Sequence, residues 1–157
     1  MAPPPSILSH AALDRDALRM EVSDPAAGAV LVFEGTVRDH SEGLTGVIAL
    51  EYEAQASMAG KIIAAILEDT RREIPVRKIA VRHRLGRVEL GEPTIIIAVS
   101  AAHRDEAYRA SRIVIDRIKH EAPIWKREIL LDGSGAWSKG CVAHGRTEED
   151  FKIQIAK

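Results

Sequence analysis

The chain has 157 residues, of which 46% are hydrophobic and 29% are charged. This length and balance predict one globular domain and exclude a mostly disordered or collagen-like chain. The formal net charge of -1 argues against non-specific nucleic-acid binding, because no overall positive field exists to hold a polyanion. The single cysteine excludes a disulfide framework and a zinc or iron–sulfur site built from cysteines, and it favours a cytoplasmic location.

The N-terminal residues do not have the pattern of a targeting segment. Residues 1–8 contain a run of prolines and predict an extended, mobile tail without the basic and apolar regions of a signal peptide. The longest apolar runs, such as residues 94–102, are too short to cross a bilayer. Residues 9–157 contain no repeat and no linker, so we expect a single domain.

The elements of the first half of the chain follow from hydrophobic periodicity and from glycine and proline positions. In chain order they are a helix over residues 10–22, a buried strand over 28–34, a polar glycine-containing loop over 35–46, a strand over 47–54 and a helix over 57–74. Ser57 is the predicted N-cap of that second helix, and Pro75 ends it.

The second half is predicted in the same way. It contains a strand over residues 76–84, a turn-rich segment over 85–93 with a short strand around Val88, a strand over 94–101, a helix over 103–121, a strand over 124–131 and an irregular segment over 132–140. Because two strands follow each other between residues 28 and 54, strict β-α-β alternation fails. The sequence therefore predicts an α+β fold with a mainly antiparallel or mixed sheet and the helices 57–74 and 104–121 packed on it.

Metal and nucleophile motifs are weak in this sequence. The six histidines are scattered and none forms the spacing that places two imidazoles on one helix face, so we expect no metal site. Cys141 lies near His144, but a lone cysteine with a neighbouring histidine is more often a spectator than a nucleophile. Residues 133–135 (GSG) lack the lysine and serine of a phosphate-binding loop.

Cationic residues at the two ends of the helix 104–121 are more informative. His103 and Arg104 lie where the strand 94–101 meets the start of the helix, a position where free backbone N–H groups and an arginine fork suit an anion. Lys119 lies near the helix end, and Lys126 lies on the next strand. A crowded lysine becomes a usable base or nucleophile, whereas the alternative is that these lysines are ordinary solvated side chains.

Several strings of residues, taken together, resemble the molybdopterin synthase catalytic (large) subunit family. The strings cover roughly residues 28–140 in order, and the run from Lys119 to Glu128 is the most specific. They are GTVRDH at 35–40, LEYE at 50–53, HRLG at 83–86, SAAHR at 100–104, KHEAPIWKRE at 119–128 and the tryptophan at 137.

The resemblance implies an α/β hammerhead fold and a sulfurtransferase activity without a cofactor. The family converts cyclic pyranopterin monophosphate (precursor Z) into molybdopterin by adding two sulfurs as a dithiolene. The sulfur comes from the thiocarboxylated C-terminus of a small ubiquitin-like carrier subunit, and two large subunits form a central homodimer within a heterotetramer. This chain contains no ubiquitin-like segment, so its carrier is expected to be a separate protein.

The resemblance also implies roles for particular residues. Lys119 matches the essential lysine and Lys126 the second active-site lysine, and both are expected to contact substrate. The other expected substrate-binding residues are Arg38, His103, Arg104, Arg127 and Glu128. A C-terminal arginine of the neighbouring large subunit is expected in the pocket, and Arg146 is the candidate for it. Two alternatives are a non-catalytic module that docks a ubiquitin-like carrier and a general nucleotide-phosphate binder.

Overall fold

The computed structural model describes residues 6–41 and 43–139. Over these residues the chain forms three helices, α1 (Arg15–Glu21), α2 (Ala56–Glu73) and α3 (Arg104–Glu121). The strands are β1 (Leu8–Ser9), β2 (Ala29–Thr36), β3 (His40–Ser41), β4 (Leu44–Thr45), β5 (Val47–Ala54), β6 (Val76–Arg84), β7 (Gly86–Glu89), β8 (Pro93–Ala101), β9 (Ile124–Leu130) and β10 (Gly135–Lys139).

The strands form two four-stranded sheets and one short hairpin. The first sheet has the order β1-β6-β8-β2, the second has the order β10-β9-β5-β7, and β3 pairs with β4. All pairs are antiparallel except β1 with β6. The predicted α+β class with mainly antiparallel sheets is therefore confirmed.

The main core lies between the first sheet and the helices α2 and α3. Alternate residues of β8 divide between two apolar clusters, because neighbouring side chains on a strand point to opposite faces. Ile95, Ile97 and Val99 pack with α2 and α3. Ile96 and Ala98 pack with α1 on the other face. Coverage on both faces explains the continuous apolar pattern of β8, and the predicted packing of both long helices on a sheet is confirmed.

Local capping decides where the helices begin. The predicted helix over residues 10–22 is shorter, because the Asp14 side chain accepts a hydrogen bond from the backbone N–H of Ala17 at 3.0 Å and fixes the start of α1. The prediction of Ser57 as an N-cap is wrong. Helix α2 begins at Ala56 after Gln55, which makes no side-chain capping hydrogen bond.

The expectation of an irregular segment after residue 131 is also wrong. Residues 131–134 form a turn, with Gly133 at a φ of 83°, and β10 then pairs antiparallel with β9. The Asp132 carboxylate accepts from the backbone N–H of Ser134 at 2.8 Å, and the Leu130 N–H donates to the Ser134 carbonyl at 2.8 Å. The aspartate and glycine that suggested a loop therefore build a hairpin turn.

The ends of the chain are described in part. Residues 1–5 and 140–157 lie outside the described residues, and with them Cys141, His144 and Arg146. Within the predicted tail over residues 1–8, Leu8 belongs to β1 and pairs with His83 of β6. Among the described residues, no helix is both long and apolar enough to span a membrane.

Candidate functional site

A cavity of about 280 Å³ opens between the two sheets, at the C-terminal end of α3. Its walls come from β2, β6 and β8 of the first sheet, from β5 and β9 of the second, and from the segment around β3. Apolar side chains such as Ile118 and Ile124 form part of the wall. The polar lining residues are Thr36, Arg38, His40, Ser41, Tyr52, His83, Thr94, Lys119, Lys126 and Glu128.

Three cations face this cavity from three separate segments. Arg38 follows β2, Lys119 lies in the last turn of α3, and Lys126 lies on β9 directly opposite Tyr52 of β5. Within the described part of the chain, neither Arg38 nor Lys119 makes an ion pair, so their charges are available to a ligand. Lys126 is half-buried, whereas the other two side chains are exposed. Such a cluster suits an anionic ligand that carries phosphate or carboxylate oxygens.

Glu128 brings one carboxylate into the same cavity. The residue is only 4% exposed and lies on β9 opposite Leu50 of β5. Its Oε2 atom accepts a hydrogen bond from the Ser41 hydroxyl at 2.8 Å, so the carboxylate joins β3 to β9 across the cavity. A buried carboxylate requires hydrogen bonds or compensating charge, and the Ser41 hydroxyl supplies one such hydrogen bond.

His83 and Tyr52 also line the cavity, and sequence reasoning did not select them as candidate site residues. Their rings meet edge to face, with centroids 5.0 Å apart and planes at 82°. Burial lowers the pKa of His83 to about 4, and the Lys119 ammonium acts in the same direction. Burial also raises the pKa of Tyr52, so its phenol stays protonated at neutral pH. The signals in the sequence are the strings LEYE at 50–53 and HRLG at 83–86, which carry the resemblance without identifying either residue as a site residue.

His103 and Arg104 do not line this cavity. They lie at the N-terminal end of α3, fifteen residues before Lys119, which corresponds to about 22 Å along the helix axis. Both are exposed, and His103 occupies the N-cap position without a side-chain capping hydrogen bond. Within one chain, the structure therefore separates these two predicted site residues from the lysines.

Arg127 lies on the face of β9 that points away from the cavity, since it alternates with Lys126 and Glu128. Its guanidinium carbon is 5.9 Å from the centroid of the Trp137 ring, a cation–π distance, and the two residues are paired across β9 and β10. Arg127 therefore contacts β10, the hairpin partner of β9. Its neighbours Lys126 and Glu128 line the cavity, whereas Arg127 does not.

No group of three or more histidine, cysteine, aspartate or glutamate side chains in residues 6–41 and 43–139 is placed to hold a metal ion. The lining of the described cavity supplies cations, one carboxylate, the imidazoles of His40 and His83, and hydroxyl groups.

Residues 8–121 match the model of the family described as MoaE protein. The molybdopterin synthase catalytic subunit of Thermoplasma volcanium is 47% identical over 116 residues, which cover 74% of this chain and 84% of that protein.

Solved structures give the same result. The crystal structure of molybdopterin synthase from Staphylococcus aureus has a TM-score of 0.77 at 35% identity and covers 83% of this chain and 94% of that one. A complex of subunits 1 and 2 of molybdopterin-converting factor from Helicobacter pylori has a TM-score of 0.69 at 22% identity and covers 89% of this chain and 90% of that one, a likeness of fold.

Proposed function

The chain belongs to the MoaE protein family of molybdopterin synthase catalytic subunits, and on that premise we propose that its lysine-lined cavity is the site of sulfur transfer. The substrate is cyclic pyranopterin monophosphate, precursor Z, and the product is molybdopterin with its dithiolene. The sulfur donor is the thiocarboxylated C-terminus of a small ubiquitin-like carrier. In each transfer a C–S bond to the precursor replaces a C–O bond, and water hydrolyses the acyl group of the carrier to a carboxylate. One displaced oxygen stays on the phosphate as the cyclic ester opens, and the other leaves as water.

One observation carries this proposal: Arg38, Lys119 and Lys126 come from separate segments and face one cavity. Precursor and thiocarboxylate are both anions, so a site that holds both requires several positive charges fixed in advance. Lys119 lies in the last turn of α3 and lines the cavity from the end of that helix. Metal-independent transfer is reasonable because the sulfur arrives already activated as an acyl thiolate.

Within this proposal each polar residue has a separate task. Lys119 acts as the base or as the transient acceptor of the acyl group of the carrier, and Lys126 and Arg38 bind the phosphate and the oxyanions. Glu128 offsets the lysine charges and holds Ser41 across the cavity. Arg127 acts through its contact with Trp137, which fixes β10 against β9, because its side chain lies on the opposite face from the cavity.

The roles predicted for His103 and Arg104 require a second copy of the chain. Their distance of about 22 Å from Lys119 along α3 prevents both ends of one helix from contacting one small substrate. In a homodimer the pair from one copy contacts the substrate bound beside Lys119 of the other copy. The carrier is a separate protein at each end of the dimer, giving a heterotetramer, and the two-subunit Helicobacter complex supports such a partner. The cytoplasmic location predicted from the single cysteine belongs to the same proposal.

The test is reconstitution with defined components. The full chain is incubated anaerobically with precursor and with carrier in either its thiocarboxylate or its plain carboxylate form, and molybdopterin is measured by fluorescence after oxidation. We expect product only in the mixture that contains thiocarboxylated carrier, and none in the mixture with plain carboxylate carrier. Tight carrier binding without product would instead identify a docking module, and affinity for mononucleotides without any need for carrier would identify a general phosphate binder.

A further inference from the structure

His83 is held in place on both sides of its backbone. It lies near the end of β6, in register with Leu8 of β1 and with Ile95 of β8. Its backbone N–H donates to the carbonyl of Ile7 at 2.8 Å. The residue is 7% exposed, and its side chain lines the cavity. The imidazole is therefore a fixed part of the cavity wall.

The hydrogen bonding of the ring defines its tautomer. The Nδ1 atom lies 2.7 Å from the carbonyl oxygen of Arg84. A carbonyl oxygen only accepts hydrogen bonds, so Nδ1 donates and carries the proton. Because burial lowers the pKa of His83 to about 4, the ring is uncharged at pH 7. The Nε2 atom then has a free lone pair and acts as a hydrogen-bond acceptor.

The ring orientation is restrained by two contacts. Tyr52 packs against the imidazole edge to face at 5.0 Å, and Nδ1 is bonded to the carbonyl of Arg84. Across residues 6–41 and 43–139, no side chain or backbone group donates a hydrogen bond to Nε2. Since Nδ1 is turned to the backbone, Nε2 is the ring nitrogen that remains for a ligand in the cavity.

The cations of the cavity cannot provide an acceptor. Arg38, Lys119 and Lys126 only donate, so they suit the phosphate and carboxylate oxygens of the ligands. Besides His83, the acceptors of the lining include hydroxyl groups and the carboxylate of Glu128, whose Oε2 already binds Ser41. A reduced pterin ring carries several N–H donors, and burying them without an acceptor would cost binding free energy. Given the proposed function, on which this inference rests, we propose that Nε2 of His83 accepts a hydrogen bond from an N–H group of the pterin ring and so selects the heterocycle beside Lys119.

Two substitutions separate the two nitrogens of His83. The amide of Gln reaches the place of Nε2 and retains an acceptor there, whereas the amide of Asn reaches the place of Nδ1 and retains the bond to Arg84. Binding of precursor to the full chain is measured anaerobically by calorimetry at pH 7, without carrier. We expect His83→Asn to raise the dissociation constant about tenfold, the loss of one hydrogen bond, and His83→Gln to raise it less than about threefold. A structural role of the ring through Nδ1 predicts the reverse order.

A second measurement uses the unsubstituted chain, so it does not depend on either variant folding. The ¹⁵N chemical shifts of His83 should show a protonated Nδ1 and an unprotonated Nε2, and the Nε2 signal should move when precursor is added. An unchanged Nε2 signal with bound precursor, or equal affinities of both variants and the unsubstituted chain, overturns the role of His83 alone. Failure of the unsubstituted chain to make molybdopterin with thiocarboxylated carrier overturns the proposed function and this inference together.

Discussion

Lowering the pH from 7 to 5 should destabilise the folded chain through His83. The unfolded imidazole takes up a proton near its ordinary pKa of 6.5, whereas burial holds the pKa in the folded chain at about 4. Between these values the unfolded state binds more protons, so the free energy of unfolding falls as the pH falls. The full shift of the His83 pKa contributes roughly 3 kcal/mol to the free energy of unfolding, of which about 2 kcal/mol is lost between pH 7 and pH 5.

Urea unfolding at pH 7, 6 and 5 measures this loss, with His83→Gln as the matched variant that cannot titrate. Four carboxyl groups, on Asp24, Asp39, Glu89 and Asp132, have lowered pKa values. Their stabilising contribution is present above their ordinary pKa values of 3.8 to 4.5 and is lost at lower pH, outside the chosen range. The unsubstituted chain should lose about 2 kcal/mol more than the variant. An equal loss in both proteins would refute the buried neutral state of His83.

Two further predictions concern the dimer and the core. Arg104→Ala should raise the KM for precursor. At low precursor, mixing it with Lys119→Ala should give more product than its Arg104→Ala share makes alone, because one of the two sites in a mixed dimer then carries both side chains; a mixture no more active than that share would contradict sharing of the site. Ile97 is fully buried between the first sheet and the long helices, so Ile97→Ala should lower the free energy of unfolding by about 2–5 kcal/mol in a urea titration. A loss below about 1 kcal/mol would show that this part of the core is loosely packed.

The elements that the sequence predicted well are those whose burial is decided by local pattern. Strand β8 is continuously apolar because helices cover both of its faces, and α3 shows one apolar stripe. The pattern fails where the side chains are small or polar. Strand β10 contains glycine and serine beside Trp137, and its pairing with β9 is decided by the turn at Gly133 and by the partner strand, not by hydrophobic periodicity.

In the candidate site, too, some neighbours follow from local sequence and others depend on long-range strand pairing. Lys119 and Lys126 could be placed together from the sequence, since a helix end and the next strand are neighbours across the short connection at Pro123. The approach of His83 and Arg38 to these lysines depends on long-range pairing of β6 and β2 with β8, which no local pattern reveals. The separation of Arg104 from Lys119, by contrast, follows from helix length alone and was predictable from the sequence.

The account depends most on Lys119, and a single-turnover assay tests it directly. Lys119→Ala is compared with Lys61→Ala, which removes an exposed lysine of α2 that does not line the cavity. Both variants receive saturating precursor and thiocarboxylated carrier after thermal unfolding has shown that both are folded. We predict that molybdopterin formation by Lys119→Ala falls to the level without carrier while Lys61→Ala forms product at the rate of the unsubstituted chain. Product formation by Lys119→Ala at a near-normal rate would contradict the assignment of the cavity as the site of sulfur transfer.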